Sequence, residues 1–429
     1  MTYYIDSFTN LITPSKLDSI AQKSKFIQRS SNTISPHHFV LSLLQSIVSG
    51  KTSFQDLANN LNNLQEKPIS RQAVHKRINS HCVNFLSQSI QMLLKKQKKE
   101  SPLSALSGKF NRILIEDCTV LKIHQSNHSS FRGNGNGKFK TAGAKIHQII
   151  DWSNSTTVHT KLDQARTADQ NFNESIDHYL QENDLVLRDM GFFKVSMLER
   201  ITAKKAHWIS RLPASMTAKD EFTQKSLNTH LKDKSKNEFS SIFLVGSKDP
   251  VRCRIIAKRL PKNIAEAHKR KRRADAKRRG STPKKESFLR DEWSIICCNE
   301  ELDIPNENIY ALYQIRWNIE IQFRGIKQSL SVKKSTNHKM NKYHLKCLLL
   351  AVIIYQILSL RSAFLLSEQL SLQQYLYFSY EKLCSLFSKH INNLTDGILN
   401  IPWKIDIRQI SQEKRRRQTS YSKTLKSLG

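Results

Sequence analysis

Apolar residues recur at helical spacing over residues 39–48 and again over 83–94, and predict two buried-faced helices in the first hundred residues. Between them, Ser53 is placed to cap a helix through Leu57, Ala58 and Leu61. Pro68 breaks it, and Ser70 caps a second helix through Ala73, Val74 and Ile78. The second carries Arg71, Lys76 and Arg77. Two short helices across a tight break over 53–79 fit a helix-turn-helix, and an ordinary helical hairpin with a solvated basic face fits equally well.

The period changes after residue 110. RILIEDCTVLKIH, AKIHQIIDW and TTVHTKL read as strands, with the glycine-rich GNGNG at 133–137 as the loop after the first. A helix over 171–180, the short apolar strand DLVLRD, a helix over 195–203 and the strand HWISRL follow. The order β-β-β-α-β-α-β is that of an RNase H-like core, a fold in which strand ends bring distant carboxylates together. Further on, SSIFLVG, RCRIIAKRL and EWSIICC are strand candidates around His268 to Lys285. That stretch has Asp275 as its single acid and reads as a solvated face or loop that can also track phosphates.

Charge narrows the partner. Lys and Arg total 69 against 36 acids, a net +33 over 429 residues, which calls for a polyanion. No basic amphipathic anchor with bulky apolar residues opposite the charge is evident, so nucleic acid is favoured over a membrane surface. The seven cysteines follow no ligand spacing and are expected to be reduced, mostly buried thiols of a cytoplasmic protein. The first residues, MTYYIDSFTN, lack a signal pattern. The apolar run over 348–360 carries Gln356 and Ser359 and reads as a buried core helix.

The chemistry concentrates in YQIRWNIEIQFRGIK, residues 313–327. As one helix at ~100° per residue, it places Tyr313, Arg316, Glu320 and Lys327 within one arc of ~60°. Leu312, Ile315, Ile319, Phe323, Ile326 and Leu330 form a neighbouring core-facing stripe. A plain i,i+4 ion pair would account for Arg316 and Glu320 but not for the other two.

The pattern Tyr-x2-Arg-x3-Glu-x6-Lys resembles the signature of bacterial insertion-sequence transposases of the insertion-sequence-four family. Asp117 and Thr119, after RILIE, resemble that family's Asp-x-Thr/Ser element. Asp189 in LVLRDMGFF resembles its second aspartate before Gly-Phe, with Met190 where the family often has arginine. The resemblance covers residues 112–360 and fades at both ends. It implies that Asp117, Asp189 and Glu320 are the catalytic metal ligands for two Mg²⁺ ions, with Mn²⁺ as a possible substitute. It also implies that Tyr313, Arg316 and Lys327 contact DNA near the cleaved end. Arg211 is a further phosphate candidate. Trp293 is either a base-stacking residue, as in some relatives, or a core tryptophan of a strand. Asp151, Asp163, Asp169 and Glu116 are decoys, and Glu116 should face away from Asp117 by strand alternation.

The expected architecture is α/β, with a helical DNA-binding region over 1–100 and an RNase H-like core over 111–213 and 306–360. A basic, mostly-β insertion over 214–305 interrupts that core, and the interval between Asp189 and Glu320 is long enough to hold it. A helical region over 361–429 ends in a basic tail, EKRRRQTSYSKTLKSLG, expected to be flexible without DNA. The implied function is Mg²⁺-dependent cut-and-paste transposition. The enzyme would act on terminal inverted repeats and target DNA, as a homodimer in a synaptic complex. A repressor that binds DNA without cutting it, and an RNase H-fold nuclease or resolvase without strand transfer, are the alternatives.

Overall fold

A computed structural model describes residues 12–28, 34–100, 109–135, 140–233, 235–374, 379–391, 394–395 and 398–399. The basic tail, the first residues and part of the 133–137 loop lie outside them. The fold is mixed α/β, and the chain divides into two compact units. The first contains residues 1–104, 117–168 and 317–416; the second contains 105–116, 169–316 and 417–429. The boundary runs through strand β1 (Arg112–Ile123), after Glu116.

In the first unit, the later half of β1 is followed by β2 (Ala142–Asp151) and β3 (Thr156–Gln164), which pair antiparallel. Every residue of β2 is buried, Lys145, His147 and Gln148 included. Polar groups so placed need partners. Lys145 Nζ donates to the Thr167 carbonyl at 2.5 Å, and Gln148 pairs with Gln356 through both amides. The helices form as their caps dictate. Ser53 and Asp56 close a capping box at the start of Phe54–Leu64, and Ser70 accepts from Ala73 N at the start of Arg71–Arg77. Asn62 pins the break between them, accepting from Ile69 N at 2.7 Å and donating to Ile69 O at 3.2 Å.

The apolar run over 348–360 sits inside a 33-residue helix, Lys342–Gln374. Its Lys342–Ser362 part is long and apolar enough to cross a membrane by length and composition, but it is almost wholly buried inside the protein. It packs with the helices Pro36–Ser49 and Ser80–Glu100 in one core, as the core-helix expectation requires.

In the second unit, the first half of β1 is followed by β4 (Asp184–Arg188), β5 (His207–Arg211), β6 (Ala218–Asp220), β7 (Glu238–Val245), β8 (Val251–Arg259) and β9 (Trp293–Cys298). β1, β4 and β5 run parallel; β9 joins β5 antiparallel and continues through β8 and β7 to β6. All five strands expected between residues 112 and 212 are present. The helix expected over 171–180 is shorter, a 3₁₀ turn at Asp169–Phe172 and then Asn173–Asp177. The stretch read as a solvated face or loop folds into an 18-residue helix, Lys262–Arg279, with Gly280 at φ +64° as its left-handed cap.

The seven cysteines are unbridged, and all but Cys118 are buried. Burial holds the Cys82, Cys253, Cys297, Cys298 and Cys384 thiols above their ordinary values, which suits inert packing groups.

Candidate nucleic-acid-processing site

β1 and β4 are in register from Arg112 opposite Asp184 to Glu116 opposite Arg188. Glu116 and Arg188 are both essentially inaccessible, and a guanidinium nitrogen of Arg188 lies 2.8 Å from Glu116 Oε2. Arg188 also donates to Asn173 Oδ1, and its guanidinium carbon sits 5.5 Å from the Phe192 ring centre. The next residues in the chain, Asp117 and Asp189, are half-buried. Glu116 is therefore a structural acid, as expected of a decoy. Asp151 and Asp163 also have local work, accepting from Ser153 N and Asn154 and from Gln164 N and Thr167.

Asp117 Oδ1 accepts from Cys118 N at 2.7 Å. Asp189 starts the 3₁₀ turn Met190–Phe192 but makes no side-chain cap to it. Gly191 follows, and a Cβ there would come 3.0 Å from Asp169 Oδ2, so a larger residue would make that carboxylate shift by a few tenths of an ångström.

The segment around Glu320 departs from the single helix that its periodicity predicts. Two helices, Asn306–Ile315 and Trp317–Ser329, meet at Arg316. Arg316 keeps a right-handed helical conformation, but its N–H reaches the Tyr313 carbonyl, three residues back, at 3.2 Å. That is the tighter turn by which a helix closes. Tyr313 and Arg316 belong to the second unit, Glu320 and Lys327 to the first.

Within the second unit, Tyr313 is 6% exposed and its hydroxyl makes no well-formed hydrogen bond among the described residues. The Arg316 guanidinium carbon lies 5.8 Å from its ring centre. Burial raises the Tyr313 hydroxyl above the ordinary tyrosine value; Arg316 and Arg211 oppose the rise and Asp189 adds to it. Asp189, Arg211, Tyr313 and Arg316 therefore share one electrostatic neighbourhood. Arg316 is buried rather than displayed, which corrects the expectation of an open row beside the core stripe.

In the first unit, Glu320 stands half-buried in the first turn of its helix, and Ile319, Phe323 and Ile326 are buried as the stripe predicts. Lys327 reaches solvent, yet desolvation by its surroundings lowers its ammonium below the ordinary lysine value. Trp317 is 53% exposed, a bulky aromatic that sequence reasoning passed over. Its signal was a tryptophan outside the apolar stripe, next to the signature arginine.

Trp293 is a core residue of β9, 2% exposed, with Phe239 edge-on and the Arg259 guanidinium carbon 4.5 Å from its ring centre. This is the strand-core alternative, and a ring so covered offers no face to a base. In the short helix Arg71–Arg77, Arg71 and Lys76 are exposed. Arg77 instead donates to the Phe26 carbonyl and lies over the Phe26 ring. Its charge is spent on packing.

The carboxylates are hard oxygen donors of the kind Mg²⁺ selects. Among the described residues no group of three or more His, Cys, Asp or Glu is disposed to hold a metal ion.

Over residues 108–356 the chain matches the transposase DDE domain. It belongs to that family. This DDE transposase is similar over most of its length to transposases of insertion sequence elements. The IS231E transposase of Bacillus thuringiensis subsp. finitimus is 24% identical over 354 residues, covering 77% of this chain and 74% of that protein. The IS231B transposase of Bacillus thuringiensis subsp. berliner is 24% identical over 414 residues, covering 90% and 85%. The IS1151 transposase of Clostridium perfringens is 22% identical over 389 residues, covering 84% and 80%. A piggyBac transposase synaptic complex with hairpin DNA aligns with 97% of this chain and 84% of that one, at 12% identity and a TM-score of 0.47. The DDE transposase is thus an enzyme acting on DNA, and its family implies a divalent metal.

Proposed function

We propose that this transposase binds the terminal inverted repeats of its own insertion element and moves that element by cut-and-paste cleavage and strand transfer. In this reading Asp117, Asp189 and Glu320 hold two Mg²⁺ ions on an RNase H-like core, with residues 214–305 as the insertion and 53–79 as a helix-turn-helix. The Tyr-x2-Arg-x3-Glu-x6-Lys spacing further suggests the insertion-sequence-four group. The metal, when bound, would activate the attacking oxygen and stabilise the leaving one.

The observation that carries this reading is the strand register. Glu116 and Arg188 lie opposite each other in parallel strands, and the two aspartates are the next residues in the chain. The parallel pairing ends there, with β4 stopping at Arg188 while β1 runs on to Ile123, and such ends are where open α/β sheets gather functional groups. The buried ion pair fixes both backbones just before the residues that must be positioned.

The other residues supply binding and orientation. Lys327, solvent-reaching and partly desolvated, suits a phosphate oxygen, which would repay its desolvation. Arg211 and Arg316 set a positive neighbourhood around Asp189, and the buried Tyr313 hydroxyl can orient a substrate oxygen. The exposed Trp317 offers a face on which an unpaired base can stack.

The test is cleavage and joining of linear DNA carrying the element's ends, with and without Mg²⁺. Cleavage by the wild type that persists unchanged in Asp117→Ala or Glu320→Ala overturns the assignment. Binding without nicking points to a repressor, and nicking without joining to a nuclease.

A further inference from the structure

The helix Lys262–Arg279 holds a strong concentration of positive charge, and the fold neutralises only one side of it. Ala265 and Ala276 are its buried residues. Beside them Arg272 makes two hydrogen bonds to Asp291, at 2.6 and 2.7 Å, and Lys269 reaches Glu292 at 2.8 Å and Glu266 at 3.2 Å. Arg278 takes Asp275, and Arg273 lies over the Phe288 ring. The local acids are thereby consumed.

On the opposite arc, ~120° wide at ~100° per residue, stand Arg270, Lys271 and Lys277; Arg278 falls on the same arc but is paired with Asp275. All three are exposed, and none joins an ion pair among the described residues. Ala267 and Ala274, also exposed, lie between them. Methyl-sized side chains at those positions leave a smooth surface from which the cations project. Arg270 to Lys277 is two turns, about 10 Å of rise. Leaving like charges unpaired on one helix destabilises it, and a polyanion laid along the arc relieves the repulsion.

We propose that this arc is a phosphate-tracking surface that grips duplex DNA without regard to sequence. It is separate from the recognition of element ends. The inference rests on the DNA-acting reading above, but not on its cleavage chemistry. Contacts that cations make to phosphate oxygens fix a protein on the duplex and carry no sequence information directly. Each phosphate they neutralise releases a counterion.

The experiment uses the full chain with Arg270→Gln, Lys271→Gln and Lys277→Gln combined, bound to a random-sequence duplex in EDTA across a salt series. The expected result is at least a tenfold loss of affinity near 0.1 M salt and a shallower log–log salt slope. The slope should fall by about 0.9 for each phosphate no longer neutralised. The charge-conserving Arg270→Lys, Lys277→Arg variant keeps both affinity and slope. Since the three residues join no ion pair among the described residues and their charges repel, the melting temperature should not fall, and a folded triple variant with wild-type affinity and slope overturns the proposal. So does preferential binding of the arc to anionic lipid vesicles over DNA. A wild-type protein that binds with full salt dependence yet never cuts element ends would overturn the transposition reading and leave this surface intact.

Discussion

Arg188 and Glu116 form a buried ion pair, 2.8 Å across two parallel strands, one residue before each of two aspartates. Removing one partner from such a pair strands a charge in a dry interior and costs about 3–5 kcal/mol. Glu116→Ala should therefore lower stability by that amount in urea titration. It should also reduce end cleavage beyond what the unfolded fraction explains, because β1 and β4 lose their lock. Replacing both partners by apolar residues of similar volume should restore most of the stability. A single Glu116→Ala variant as stable as wild type would refute the buried-pair account.

Asp117→Asn, Asp189→Asn and Glu320→Gln should each cut strand cleavage by at least about a hundredfold, since each removes an anionic ligand from the proposed metal site. Binding to end-containing DNA in EDTA should be retained. Omitting divalent metal should abolish cleavage in the wild type, and adding Mg²⁺ should restore it. Retained cleavage in any one variant would remove that residue from the proposed set.

Tyr313→Phe separates packing from chemistry. The hydroxyl is buried with no well-formed hydrogen bond among the described residues and only a weak interaction with Arg316, so its loss should leave stability unchanged or raise it by up to about 1 kcal/mol. End cleavage should fall at the same time. A variant destabilised by more than that would show that the hydroxyl is bonded in the protein alone, with nothing left for substrate.

Trp317→Ala should alter stability by no more than about 0.5 kcal/mol, because the side chain is half in solvent. Binding or processing of ends with unpaired bases should weaken about tenfold or more. Equal loss on fully paired and on frayed ends would argue against stacking.

His344 provides a pH handle on the first unit. Burial chiefly, with His338 and His75 nearby, lowers it to about 4, and its ring stacks on Phe54 at 4.5 Å. His37 is likewise lowered to about 4, by burial first and then by His38. Below the unfolded value near 6.5 the unfolded chain takes up protons that the folded one refuses. Stability is then full above pH 6.5 and is lost as pH falls toward 4, by about 3 kcal/mol per histidine. His344→Phe keeps the stack and should flatten roughly half of this acid limb in melts between pH 4 and 7.

Much of this was legible in the sequence where local rules and burial agree. Ser53 and Ser70 cap helices because their hydroxyls accept from the otherwise unpaired N–H groups of Asp56 and Ala73. Glu116, read as a decoy, is a buried structural acid, and Asp117 beside it is half-buried. The break at Arg316 was invisible because its backbone stays helical and only the hydrogen-bond partner shifts. The stretch in Lys262–Arg279 does present the solvated face expected of it, but its helical form was hidden because its compensating acids, Asp291 and Glu292, come later in the chain. Arg77 reads as a DNA contact until the fold brings the Phe26 ring beneath it.

The long apolar helix Lys342–Gln374 has a bearing on how the chain is made. Gln97 donates to the Ile357 carbonyl, Gln148 pairs with Gln356, and Cys82 meets Cys347. Each of those partners leaves the ribosome well before the helix does. Emerging at about 5–20 residues per second, the helix meets a docking surface already synthesised. A segment apolar enough to be taken for a membrane span thus has its proper resting place waiting when it appears. The order of the gene protects it, and a chain shorn of its first hundred residues should aggregate as it is made.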